Sequence, residues 1–145
     1  MKTTIILLLC LISAKFSTAQ QARQTIDYEY FRDDKQHYAF ELFKNTSSND
    51  DVLMLNFASN GTLSKIDKIH ILKGAEEIKL KFKMRQDVVS SDNPELKFYP
   101  IMFSKKELDE KVLGCEAKIR FKMDNGIIYT LPLVLCNTTE SGLKD

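Results

Sequence analysis

Two stretches of this 145-residue chain place a base at every second position: Lys79, Lys81, Lys83 and Arg85 in one, and Lys118, Arg120 and Lys122 in the other. The residues between them are apolar: Ile78, Leu80, Phe82 and Met84, then Ala117, Ile119, Phe121 and Met123. Strict period two puts the bases on one face of a strand and the apolar residues on the other. If the two stretches are neighbours in a sheet, their bases form a cationic face suited to an acidic protein surface, a lipid head group or an anionic glycan. Alternating lysines are also the usual dress of a solvated strand, where they discourage edge-to-edge association. No aromatic side chain interleaves with the bases to stack a nucleobase, which argues against nucleic acid as a partner.

Other chemistry is sparse. Asp33-Asp34, Asn49-Asp50-Asp51 and Asp92-Asn93 are oxygen-rich. None has the alternating Asp spacing and distal Glu of a calcium loop, and turn-forming Asx residues account for them. His37 and His70 stand singly, outside any zinc-ligand spacing. No phosphate loop, nucleophile elbow or metalloprotease motif occurs, so the expectation is a chain that is not an enzyme and carries no cofactor or metal. Asn45, Asn60 and Asn137 each open an Asn-X-Ser/Thr tripeptide and are glycosylation sites if the source is eukaryotic. Tyr28, Tyr30, Phe31, Tyr38, Phe40 and Phe43 crowd one part of the chain. Most are expected in the core, with an exposed subset free for a ligand or partner.

The first nineteen residues read as a secretory signal peptide: Lys2, then the apolar run Ile5 to Ile12, then Ser17-Thr18-Ala19 as a cleavage site before Gln20. Eight to ten helical residues cover only about 12–15 Å, against a bilayer core of about 30 Å. The expectation is therefore a secreted or periplasmic protein without stable membrane insertion. Of 21 bases, the signal takes Lys2 and Lys15. That leaves 19 against 20 acids, a net charge of −1, which also disfavours a nucleic-acid binder. The signal removes Cys10 as well. The remaining pair, Cys115 and Cys136, is expected to form a disulfide in an oxidising compartment, with buried thiols as the rival reading.

The elements that must carry these residues read as strands at roughly 25–32, 37–43, 52–58, 66–72, 78–85, 95–103, 115–123 and 127–136. Polar turns separate them, and one short helix lies near 105–112. There, Ser104-Lys105-Lys106-Glu107 is a capping-box pattern and Gly114 a terminator. About eight strands over 20–145 predict one all-β domain with 137–145 as a flexible tail. An antiparallel sandwich, immunoglobulin-like, is expected in preference to a closed barrel. The last hairpin allows two registers. A two-residue Asn125-Gly126 turn sets Cys115 opposite Cys136 but scrambles the apolar faces. A three-residue turn with left-handed Gly126 aligns Ile127, Tyr129, Leu131, Leu133 and Leu135 with the apolar residues from Cys115 to Met123. The expectation is the second register, with a bulge near Pro132 that restores parity for the disulfide, and a locally edge-like strand at Pro132. Two roles follow: a non-enzymatic interaction module with a protein or anionic glycan as partner, or a barrel-like carrier enclosing at least roughly 300 Å³ for an apolar ligand.

Overall fold

The computed structural model describes residues 23–45, 51–86 and 92–136. Among the described residues, nine strands and one helix follow in order: β1 (Arg23–Arg32), β2 (His37–Asn45), β3 (Val52–Ser59), β4 (Ile66–Lys73), β5 (Glu76–Leu80), β6 (Lys83–Met84), β7 (Lys97–Ser104), α1 (Lys105–Lys111), β8 (Glu116–Met123) and β9 (Ile128–Val134). All pairings are antiparallel. They form a five-stranded sheet, β1-β2-β3-β7-β6, and a four-stranded sheet, β5-β4-β8-β9. The two sheets do not close into a barrel. The expected all-β sandwich is the fold. Its first three strands form a meander in one sheet, whereas an immunoglobulin domain sends its third strand to the opposite sheet.

Alternation builds the core. Leu53, Leu55 and Phe57 of β3 and Tyr99, Ile101 and Phe103 of β7 point toward Ile69, Ile71, Ile119, Phe121 and Leu131 of the other sheet, and all are buried. The Phe57 and Phe121 rings stack across the interface at 4.1 Å between centroids, with Tyr129 at 5.3 Å and Tyr99 at 5.8 Å from Phe57. Period-two strands that bury one face deliver this layer directly.

The 78–85 stretch is one strand in the sequence reading and two in the structure. Ile78 and Leu80 face the core from β5, the chain crosses at Lys81 and Phe82, and Lys83–Met84 joins β7 in the other sheet. The crossing preserves the alternation, so period two does not reveal it.

The β8–β9 hairpin has the expected register. Ile119 faces Leu131 and Phe121 faces Tyr129, and Met123 N–H donates to Ile127 O across a turn in which Gly126 has φ +87°. The expected bulge at Pro132 is absent, since pairing runs without a shift from Glu116–Val134 to Lys122–Ile128. The disulfide forms nonetheless. Leu135 N–H still donates to Cys115 O, the chain leaves the extended conformation at Cys136, and the Cys115 and Cys136 Cα atoms are 4.7 Å apart. The parity change thus sits at the end of the strand, where no ladder has to be broken. Pro132 lies on edge strand β9, as a residue without an N–H requires. Nearby, a bulge between Thr25 and Asp27 re-aims β1, and the Asp27 carboxylate accepts a hydrogen bond from Val134 N–H of β9.

Helix α1 uses half of its capping box. Ser104 Oγ accepts from Glu107 N–H, but the Glu107 carboxylate turns to Lys111 and to the Lys81 N–H. Asp51 supplies the missing anion: its carboxylate accepts from Lys106 N–H at 2.7 Å and Ser104 Oγ at 2.9 Å. That charge offsets two lysines in the first turn.

Candidate functional site

The bases singled out in the sequence separate into two groups. Lys79 of β5 and Lys118, Arg120 and Lys122 of β8 lie on the outer face of the four-stranded sheet. Strand β4 lies between β5 and β8 and contributes Lys68 and His70 to the same face. His70 faces Lys79 on one side and Arg120 on the other, and Lys68 faces Lys122. Alternation around buried Ile69 and Ile71 carries the signal for Lys68 and His70, but only the strand order makes them neighbours of the β8 bases. Lys81 sits at the crossing between sheets. Lys83 and Arg85 belong to the five-stranded sheet and correct the expectation of one seven-base face. There, the Arg85 guanidinium donates to Asn56 Oδ1 and lies 5.2 Å from the Phe43 ring centroid, with Arg23 3.7 Å from the same ring.

Glu77 sits among the outer-face bases, Glu116 of β8 shares the face beyond Lys118, and Asp67 lies 3.7 Å from Lys68. Glu77 Oε1 of β5 is 3.2 Å from Lys122 Nζ, 3.4 Å from Arg120 Nη1 and 3.5 Å from His70 Nδ1. The hydrogen bond from Lys122, assisted by the nearby positive charges, holds the Glu77 carboxyl below its ordinary value. His70 is 9% exposed. Its burial pushes the imidazole pKa down; Glu77 opposes that shift, and Lys122, Lys68 and Arg120 reinforce it.

This arrangement sets the pH dependence of stability. Below about pH 6.5 an unfolded His70 takes up a proton more readily than the folded one, so stability falls as the pH drops through that value toward the lower folded pKa. Lys79, Lys68, Lys118, Arg120, Lys122 and Glu77 all share this face with the imidazole. Glu77, Glu107, Asp51 and Asp33 have lowered values. Their contribution is present above about pH 4 and is lost as the pH falls through the folded values. Acid unfolding is therefore expected in two stages. In urea titrations from pH 8 to 3, His70→Gln should flatten the decline between about pH 6.5 and 5 and leave the carboxylate stage in place. An unchanged upper slope would refute the assignment.

Asp33, Asn93, Asn60 and Asn45 have structural partners. Asp33 Oδ1 accepts from the Lys35 and Gln36 amides, and Asn93 Oδ1 accepts from Glu95 N–H, as turn-forming Asx residues do. Asn49 and Asp50 lie outside the described residues. Asn60 braces two loops: Oδ1 accepts from His37 N–H at 2.8 Å and Nδ2 donates to Lys35 O at 3.2 Å. Asn45 ends β2 with Nδ2 3.6 Å from Met54 Sδ, and Asn137 lies outside the described residues, as do the signal segment and the expected tail. Of the aromatic group, Phe40 and Phe43 are buried, whereas Tyr28 and Tyr30 are more than half exposed on β1. Tyr28 lines an open cleft of about 330 Å³ over Ala39 and Ala58 on the five-stranded sheet. Among the described residues no group of three His, Cys, Asp or Glu side chains is placed to hold a metal ion, and no helix is long and apolar enough to cross a membrane. No family model, curated protein or solved structure matches the chain.

Proposed function

We propose that the chain is an exported, non-enzymatic interaction module that binds an anionic glycan through the outer face of its four-stranded sheet. The observation that carries this reading is where the bases stand. Lys68 lies on β4, and Lys118, Arg120 and Lys122 lie on β8, the two inner strands of that sheet. Lysines that protect a sheet from association belong on its edges. These instead make a patch three strands wide once Lys79 of β5 is added. Strand spacing of about 4.8 Å sets neighbouring rows of charge at intervals comparable to the repeat of a sugar chain. The Cys115–Cys136 disulfide fits an oxidising compartment, in line with the signal-like first nineteen residues. The carrier alternative has weaker support: the space between the sheets is filled by Phe57, Phe121, Tyr99 and Tyr129, and the cleft beside Tyr28 is open to solvent.

Titration with dextran sulfate, with neutral dextran as control, tests the reading. Binding should weaken with added salt. Lys118→Glu/Lys122→Glu should lower affinity about tenfold, the scale of several half-exposed ion pairs. Lys83→Glu, on the other sheet, should leave affinity unchanged. Equal losses from both variants would reject the proposed face.

A further inference from the structure

Resting on that reading, we infer that Glu77 is an internal placeholder for the ligand's own anion, and that the group it stands in for is a sulfate ester of a polysaccharide. Three side-chain nitrogens on two strands face one carboxylate oxygen: His70 Nδ1 at 3.5 Å, Arg120 Nη1 at 3.4 Å and Lys122 Nζ at 3.2 Å. The convergence leaves donors in excess. His70 Nδ1 and Arg120 Nε are buried without a hydrogen-bond partner, and the His70 side chain is about nine-tenths buried in the floor of the site. Buried polar atoms are normally satisfied by protein or by ordered water, so these two have room for one further oxygen each. A carboxylate has two oxygens, of which Glu77 uses one here. A sulfate ester has three terminal oxygens in a tetrahedral array. It can meet Lys122, the Arg120 fork through both Nη1 and Nε, and His70 when Nδ1 carries the proton.

Glu77 is placed to leave. It lies on β5, the five-residue edge strand of the sheet, and its side chain is 40% exposed. Rotation about its own torsions clears the notch without breaking a backbone bond. Lys79, Lys118 and Lys68 surround the notch and continue the positive face for the rest of the polymer. The face has no Phe, Tyr or Trp on β4, β5 or the outward positions of β8 to stack a base, which favours a sugar polymer over a polynucleotide.

The test measures dextran sulfate, polygalacturonate and poly(dT) binding to the oxidised protein at one ionic strength. Wild type, Glu77→Gln, Glu77→Ala and Arg120→Lys are compared, with each variant's unfolding midpoint checked. Both Glu77 variants should bind dextran sulfate about threefold more tightly, the scale of one released half-exposed ion pair. Arg120→Lys keeps the charge but loses the fork, so it should weaken dextran sulfate and leave polygalacturonate unchanged. If wild type binds dextran sulfate but neither Glu77 variant gains, the placeholder is refuted while the cationic face stands. Polygalacturonate binding as tightly as dextran sulfate overturns the sulfate preference, and a preference for poly(dT) overturns the sugar polymer. Failure of wild type and both Glu77 variants to bind any polyanion rejects the face itself, and this inference with it.

Discussion

Phe57→Ala is expected to cost about 4 kcal/mol of folding stability, the largest effect of any single substitution considered. Phe57 is fully buried on β3 and pairs with Phe40 and Tyr99 across its neighbouring strands. It also stacks on Phe121 of the facing sheet at 4.1 Å between centroids and 15° between planes. The substitution therefore removes buried apolar area and the principal ring contact between the two layers. The surrounding β-strands are held by their ladders on both sides, which limits collapse into the space. Domains of this size have about 5–15 kcal/mol in total, so the variant should fold but unfold at much lower denaturant. Phe57→Leu keeps most of the volume and should lose less than half as much. The check is the urea midpoint at unchanged slope. A loss below about 1 kcal/mol would mean that the two sheets do not meet at this ring.

What could be read from the sequence divides along the range of the interactions. Alternation located the strands because burying one face of a strand is a local property. The register of β8 and β9 was legible for the same reason: Ile119, Phe121, Tyr129 and Leu131 share the buried face only with a three-residue turn, and Gly126 supplies the left-handed residue that turn needs. The crossing at Lys81 and Phe82 was not legible. A strand that passes from one sheet to the other keeps its period, and which sheet receives Met84 depends on β7, some fifteen residues further on. Likewise, the position of Cys136 depends on how the chain leaves the ladder after Val134, which the apolar pattern does not encode.

The candidate site shows the same division. Lys118, Arg120 and Lys122 were visible because a single strand presents them. Lys68 and His70 also face outward by simple alternation, but their meaning comes from β4 lying between β5 and β8, a pairing between residues about fifty apart in the chain. Glu77 carried no signal of its own. It precedes the alternating run and has the same parity as Lys79, yet its contact with three donors exists only because β4 and β8 bring His70, Arg120 and Lys122 to it. Sequence alternation thus supplies the sign of a face, and sheet order supplies its composition.

Reduction of the Cys115–Cys136 bond, or the Cys115→Ser/Cys136→Ser variant, is expected to lower stability by about 3 kcal/mol and the unfolding temperature by about 10 °C. The bond spans 21 residues, and closing a loop of that length in the unfolded chain sets the scale. The hydrogen-bonded β8–β9 hairpin holds the same ends together only in the folded state, so its ladder does not duplicate what the bond does to the unfolded chain. A local contribution adds to this. Leu135 is buried in the core immediately before Cys136, and its amide is bonded to Cys115 O at the open end of the hairpin. Without the disulfide, that end of edge strand β9 frays first, and Leu135 leaves the core with it. Hydrogen exchange should therefore accelerate at Leu135 before it does at Phe121 or Ile119 in the middle of β8. Equal unfolding temperatures with and without reductant, with unchanged exchange at Leu135, would show that the ladder alone secures the hairpin. A loss near 3 kcal/mol with early exchange at its open end would assign both effects to the covalent tie.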